Sequence, residues 1–327
     1  MKRKDLELKD YIEGIGIGDI AILSRAISLV ESKKTDHQNL AKELIKSIYP
    51  NTGKAKRVGI SGTPGVGKST FIESFGTFLT SIGLKVAVLA IDPTSYKSGG
   101  SILGDKTRMN KLASDKNAFV RPSPSGMTLG GVANKTRESM LLCEAAGYDI
   151  VIIETVGVGQ SEVAVSKVVD FFLLLMQPGG GDDLQGIKRG ILELADLVAI
   201  NKADGDGKIN ADVARREYET AVHILRSSEE WEPKVITCSG LTGEGLDNIW
   251  DNINNYYKVM KTDDKLSNKR EEQVHKWFYE LLLEKIKNEL NTNKKIKKNI
   301  EDSYKKIINH ETTLLDAVDE LYTDIME

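Results

Sequence analysis

The chain of 327 residues carries 45 basic and 48 acidic side chains, a net charge of -3, and 40% hydrophobic residues, the balance of an ordinary globular protein. That charge balance excludes a general nucleic-acid binder, and no apolar run approaches the ~20 residues that a membrane-crossing helix needs. The charged start, MKRKDLELKDYIEG, is unlike a secretory signal, and two distant cysteines, Cys143 and Cys238, fit small buried hydrophobes in a reducing cytoplasm.

Residues 1–56 read as a helical extension, because Ile20, Leu23, Ile27 and Val30, then Leu40, Leu44 and Ile48, recur at helical spacing. Pro50, Asn51 and Gly53 punctuate its end. Residues 57–260 alternate helical segments with the apolar runs RVGISG, KVAVLAID, DIVIIET, DFFLLLMQP, DLVAINKAD and KVITCSG. Apolar β-rich runs separated by helices predict an α/β domain, a mostly parallel central sheet covered by helices on both faces. Residues 261–327 read as charged helix. Val274, Trp277, Phe278, Leu281, Leu282 and Ile286 form one stripe, and Leu314, Leu315, Val318, Leu321, Tyr322 and Ile325 form another. By periodicity alone this arm either packs on its own domain or pairs two chains. The run Lys294-Lys295-Ile296-Lys297-Lys298 reads as a solvated helix face.

Gly62-Thr63-Pro64-Gly65-Val66-Gly67-Lys68-Ser69 fits the P-loop pattern G-x-x-x-x-G-K-[ST] in full, between a predicted strand over 58–61 and a predicted helix over 70–80 that Thr70 opens. Glycines let backbone N–H groups turn inward around phosphates, and the helix N-terminus adds roughly half a positive charge at the same point. Lys68 is placed to reach the β- and γ-phosphates and Ser69 to bind Mg²⁺. Asp92, at the end of the KVAVLAID run, and Asp105, in Gly104-Asp105-Lys106, are further candidates for the cation, with a helix cap and a solvated loop charge as their plain alternatives.

Glu154 closes the run DIVIIET ahead of Val156 and Gly157, where many nucleotide switches have Asp-x-x-Gly. Its extra methylene changes the geometry without removing the carboxylate, so Glu154 remains a candidate for the metal's water shell or the attacking water. Gly157 can donate its N–H to a γ-phosphate, and Gln160 is a second candidate for positioning water. The segment from Gln177 through Pro178, Gly179, Gly180 and Gly181 to Lys188 is too rich in glycine to be rigid alone. It reads either as a surface loop or as a nucleotide-sensing switch in which Asp182, Gln185 and Lys188 move. Lys188 and Arg108 are both candidates for transition-state charge.

Asn201-Lys202-Ala203-Asp204 follows a predicted strand over 196–200 and matches the Asn-Lys-x-Asp guanine signature. A carboxylate accepts two hydrogen bonds from guanine N1–H and the N2 amine, a pair that adenine lacks, and sites built on such bonds discriminate by ~10⁴ or more. Ser239-Gly240-Leu241, after a predicted strand over 234–238, occupies the place of a loop that closes over the base. The expected ligands are therefore GTP or GDP with Mg²⁺.

Together GTPGVGKST, AIDPTS, SGGSILGDKTRM, ETVGVGQSE, QPGGGDDLQGIK and NKAD resemble the MeaB/ArgK family, the GTPases associated with methylmalonyl-CoA mutase. The similarity runs along the whole chain, with the diagnostic motifs between Gly62 and Asp204. In that family a glutamate heads the second switch, so the resemblance turns Glu154 into a branch marker. It implies a P-loop GTPase domain with an N-terminal helical extension and a C-terminal helical dimerisation arm, hence a homodimer. It implies a slow GTPase that a partner stimulates, a chaperone that gates adenosylcobalamin delivery to an acyl-CoA mutase and protects it. By motif, Lys68 and Ser69 carry over as phosphate and Mg²⁺ contacts. Asp92, Asp105 and Glu154 carry over as metal and switch acids, Asp204 as the base reader, and the glycine-rich segment as a third switch. Ser239-Gly240-Leu241 departs from the family's frequent Ser-Ala-Leu, and glycine is expected to preserve the backbone contacts. Three other functions compete. Scattered His37, His223, His275 and His310 argue against a nickel-delivering GTPase. A kinase linked to amino-acid transport would use ATP, which NKAD opposes. A pure binding module, switched by nucleotide, is compatible with every motif.

Overall fold

The computed structural model describes residues 6–91, 109–121, 129–155, 160–179, 189–226 and 231–326. They fall into two compact units, Met1–Arg270 and Glu271–Glu327.

The first unit begins with three helices, α1 (Leu8–Gly16), α2 (Ile20–Glu31) and α3 (Thr35–Ile48). Asp19 starts α2 by accepting the main-chain N–H groups of Ala21 at 2.8 Å and Ile22 at 2.9 Å, which satisfies two donors that the helix cannot. Leu23, Ile27, Val30, Leu44 and Ile48 are buried as the spacing predicts, whereas Ile20, at the solvent end of its stripe, is 43% exposed.

The sheet has seven strands: β1 (Lys56–Gly62), β2 (Val86–Ile91), β3 (Ala118–Arg121), β4 (Ile150–Thr155), β5 (Phe171–Met176), β6 (Leu197–Ile200) and β7 (Lys234–Thr237). Their order is β3-β2-β4-β1-β5-β6-β7, and every pairing is parallel. Six strands match the apolar runs. The seventh, β3, has four residues and pairs with β2 alone at the sheet edge, so it carries too little pattern to stand out. Between strands lie α4 (Lys68–Ser81), α5 (Asn110–Ala113), α6 (Leu129–Ala145), α7 (Gln160–Ser166), α8 (Arg189–Leu192) and α9 (Gly207–Arg226), with α10 (Leu246–Lys261) after β7. Helix α4 starts two residues before the expected Thr70, because Gly67 in the left-handed region turns the chain directly into its first turn. Phe71, Ile72, Phe75 and Leu79 from α4 pack with Val58, Ile60, Leu173 and Leu175 in the core. Helices α1, α2 and α3 pack against α6.

Beneath the amino-terminal edge of the sheet sits a buried ionic network. The Asp170 carboxylate is wholly buried and accepts from the Arg57 N–H at 3.1 Å, the Tyr257 hydroxyl at 2.7 Å, and Arg270 Nε at 2.9 Å and Nη2 at 2.6 Å. Glu144 accepts from Arg57 Nε at 2.7 Å and from the Gly53 N–H at 2.7 Å. Burial, reinforced by the Asp170 charge, pushes the Tyr257 hydroxyl well above its usual range. Burial opposes the Arg270 charge, but the hydrogen bonds and charge of Asp170 outweigh it and hold the proton more firmly.

Helix α11 (Lys265–Thr292) begins in the first unit, and the second unit continues it with α12 (Lys294–Ile308) and α13 (Leu314–Met326). Asn293 caps α12 through the N–H groups of Lys295 and Ile296. Lys294, Lys295, Lys297 and Lys298 are exposed on that helix, as expected of a solvated face. Helices α12 and α13 pack together, yet Phe278, Leu282, Ile286, Leu315, Val318 and Tyr322 remain exposed. Among the described residues no helix is long and apolar enough to cross a membrane.

Removing one partner from the buried network tests its weight. Asp170→Ala strands the Arg270 guanidinium inside the protein, and the expected loss is about 3–5 kcal/mol in urea unfolding. A loss below about 1 kcal/mol would show that the network is dispensable.

Candidate functional site

The ends of β1, β4, β5 and β6 lie together at the carboxyl edge of the parallel sheet, the end where open α/β sheets bind ligands. After β1 the chain turns through residues 62–67 and enters α4. Gly67 has φ 92°, and a Cβ there would stand 3.1 Å from Asn201 Nδ2, so both conformation and space favour glycine. Lys68 Nζ folds back to donate to the Gly62 carbonyl at 2.7 Å and the Thr63 carbonyl at 3.3 Å. Burial lowers the pKa of Lys68, and the charges of Glu154 and Glu162 oppose that shift. The Thr63 hydroxyl is buried without a partner among the described residues, a polar atom that a ligand could satisfy.

Ser69 Oγ donates to Glu154 Oε1 at 3.3 Å. Glu154 is 3% exposed and sits in β4 beside Ile60 of β1, so the central strands deliver its carboxylate to the start of α4. The next residue, Thr155, donates to Ser61 Oγ at 2.8 Å and locks the ends of β4 and β1 together. A hydroxyl and a carboxylate at this spacing form an oxygen donor pair suited to a hard divalent cation. The described residues contain no cluster of three or more potential metal ligands. Asp92 and Asp105, the other two acids expected at the cation, lie outside the described residues, as do Gly157, Arg108, Asp182, Gln185 and Lys188. Gln160 opens α7.

Among the described residues, the side chains of the Asn201–Asp204 loop tie it to its neighbours by five N–H and O–H hydrogen bonds. Asn201 Nδ2 donates to the Val66 carbonyl at 2.8 Å, and Asn201 Oδ1 accepts from the Gly240 N–H at 2.8 Å. Lys202 Nζ donates to the Gly65 carbonyl at 2.7 Å and to Gln177 Oε1 at 3.0 Å. The Ser239 hydroxyl donates to Asp204 Oδ2 and accepts from the Thr242 N–H, which orients the acid. Leu241 is 77% exposed beside this pair, an apolar side chain left facing solvent at the mouth of the site. Cys238 is buried under the loop, its thiol pushed up to about 12 by burial, and burial raises Cys143 likewise. Both thiols are free and inert, as their spacing suggests.

The structure thus brings together residues 62–69, Glu154, Asn201, Lys202, Asp204 and Ser239–Leu241 at the carboxyl edge of the sheet. Thr70 lies in the first turn of α4, with no side-chain hydrogen bond among the described residues. Two side chains were not singled out from the sequence. Glu162 is a buried acid in the first turn of α7 whose charge reaches Lys68; an acid in the first turn of a helix is too common to be a signal. Gln177 was legible only as the residue that follows an apolar strand.

Residues 23–295 match the model of the family described as methylmalonyl Co-A mutase-associated GTPase MeaB. The chain is 50% identical over 287 residues to the GTPase ArgK of Escherichia coli, covering 88% of this chain and 87% of that one. It is 47% identical over 306 residues to the mouse mitochondrial methylmalonic aciduria type A homolog, covering 90% of this chain and 74% of the mouse protein. The crystal structure of a LAO/AO transport system kinase superposes with a TM-score of 0.77 at 40% identity, covering 98% of each chain.

Gly240 gives a direct test of how tightly the loops are set. A Cβ at this position would meet Phe71 Cα at 2.8 Å and Phe71 N at 3.0 Å, backbone atoms of α4 that cannot rotate away. Gly240→Ala is therefore expected to cost about 1–3 kcal/mol of stability and to weaken guanine-nucleotide binding. Guanidinium unfolding and calorimetric titration with GDP check this; unchanged values in both would mean that the loop has slack.

Proposed function

The chain belongs to the methylmalonyl-CoA mutase-associated GTPase family, and we propose that it is a nucleotide-gated chaperone of an adenosylcobalamin-dependent acyl-CoA mutase. Its reaction is GTP hydrolysis to GDP and phosphate. The observation that carries the nucleotide assignment is the cross-tying of the phosphate loop, the Asn201–Asp204 loop and the Ser239–Leu241 loop into one rim.

In this reading the phosphates lie on the main-chain N–H groups of residues 63–69 at the positive end of α4. Lys68 exchanges the Gly62 and Thr63 carbonyls for phosphate oxygens, and the Thr63 hydroxyl gains an acceptor. Ser69 and Glu154 would hold Mg²⁺ together with Asp92 and Asp105, and the ion would supply positive charge that offsets the phosphates. Asp204 accepts guanine N1–H and the N2 amine, Lys202 runs along the base, and Leu241 covers it. Water held by Glu154 or Gln160 attacks the γ-phosphorus in line and passes its proton to an oxygen of the departing phosphate, while the bond to the β-phosphate oxygen breaks and GDP leaves carrying that electron pair. Lys68 stabilises the negative charge that grows there, and Lys188 or Arg108 adds to it.

Nucleotide state reaches the client through Gly157 and the segment that holds Asp182, Gln185 and Lys188. The proposed division is an extension over 1–56, a GTPase domain over 57–260 and a helical arm over 261–327. The uncovered apolar stripe of the arm supports a homodimer, since large exposed apolar patches mark interfaces. Two buried free cysteines support a cytoplasmic setting. Family membership and the mouse relative's connection to methylmalonic aciduria support a mutase as client.

Two measurements test the proposal. GTP turnover should rise several-fold when folded acyl-CoA mutase is added at saturation; a flat rate would dismiss that client. Asp204→Asn should move preference from guanine to xanthine nucleotides, because an amide matches the xanthine edge and leaves guanine's donors unpaired. Retention of wild-type GTP affinity by the variant would remove Asp204 from base recognition.

A further inference from the structure

Lys202 is held in an unusual way. Its backbone is left-handed, φ 64°, a conformation that non-glycine residues seldom adopt without tertiary support. Its ammonium bonds two neutral oxygens, the Gly65 carbonyl at 2.7 Å and Gln177 Oε1 at 3.0 Å. Among the described residues no carboxylate pairs with it. Gln177 directly follows β5, whose last residue, Met176, accepts the Asn201 N–H at 2.7 Å through its carbonyl. Main chain and side chain at the end of β5 therefore grip consecutive residues of the Asn201–Asp204 loop.

We propose that Gln177 is a positioning residue for guanine-nucleotide binding, which fixes the Lys202 side chain so that its aliphatic stem is already extended where the base will lie. A lysine loses much rotamer freedom on being fixed, and an amide acceptor that restrains it beforehand removes part of that loss from the binding step. Once a base covers the stem, water is displaced from the pair and the hydrogen bond to a charged donor strengthens. The base is common to GTP and GDP, so the contribution falls equally on both and leaves the cleavage step alone.

This rests on reading residues 201–204 as the base-binding loop, and the experiment separates the two ideas. Affinities for GDP and a non-hydrolysable GTP analogue are measured by calorimetry, with magnesium, for full-length wild type, Gln177→Leu, Gln177→Glu, Lys202→Met and the double variant Gln177→Leu/Lys202→Met. Thermal unfolding reports whether each is folded. Gln177→Leu is expected to weaken both nucleotides alike by about tenfold. Gln177→Glu, which keeps an accepting oxygen, should bind within about threefold of wild type or more tightly. In the Lys202→Met background Gln177→Leu should cost less than a further twofold, since the partner is gone. Wild-type affinity in Gln177→Leu, an equal loss in Gln177→Glu, or full additivity with Lys202→Met would each overturn the proposal. Wild-type affinity in Lys202→Met, or a weak Lys202→Met beside a normal Gln177→Leu, would overturn this proposal alone; the base-loop reading falls only if Asp204→Asn keeps wild-type GTP affinity.

Discussion

The side chain of Asn201 is the contact on which the nucleotide site depends. Only 3% exposed, it must satisfy both ends of its amide inside the protein, and it does so between the phosphate loop and the Ser239–Leu241 loop. A buried amide with both ends paired is rigid, because any movement strands a donor or an acceptor at a cost of about 1–3 kcal/mol. Three loops from distant parts of the sequence therefore hold a fixed mutual spacing. In the proposed reading, phosphate and base are recognised at opposite ends of one ligand, and without that spacing neither contact would strengthen the other.

The sheet turns this local tie into a placed site. Parallel strands point all their carboxyl ends one way, so β1, β4, β5 and β6 deliver Gly62, Glu154, Gln177 and Asn201 to a common edge. The opposite edge carries the Asp170–Arg270–Tyr257 network and the Glu144–Arg57 pair, which join β1, β5, α6, α10 and the start of α11. Two buried ion pairs thus sit at the far edge, whereas the buried acids Glu154 and Glu162 lie on the nucleotide side beside Lys68. Near the nucleotide edge, the described ties are mostly to main-chain carbonyls and N–H groups, leaving side-chain charge for the ligand. Such a division suits a switch, whose frame must hold while one rim rearranges.

Much of this was legible in the sequence, for identifiable reasons. Buried parallel strands have few polar positions, so β1, β2, β4, β5 and β6 showed as apolar runs; the edge strand β7 showed through the longer run KVITCSG, whereas β3 offered only Ala118, Phe119 and Val120 before Arg121. The phosphate loop and NKAD were legible because their chemistry permits few alternatives: glycine where φ is positive, and a carboxylate where two donors must be met. Gln177 was not, because hydrogen-bonding a lysine is something many side chains can do, and only the fold brings Gln177 to Lys202. Glu162 escaped for a similar reason. The Asp170 network was equally hidden, since its members come from residues 57, 170, 257 and 270 and share no local pattern.

The glutamate at position 154 can now be judged on geometry. In β4 its neighbour Thr155 bonds Ser61, and Glu154 itself reaches past β1 to the Ser69 hydroxyl in the first turn of α4. The bond at 3.3 Å is already long. An aspartate on the same backbone, shorter by one methylene, would stop further from Ser69 unless β4 moved. Moving β4 would break the Thr155–Ser61 bond and the parallel pairing of Glu154 with Ile60 and Ala90. The longer side chain therefore belongs to this register of β4 against β1. It lets a carboxylate anchored in a fixed strand meet the phosphate loop directly, where a shorter acid would leave the gap to water.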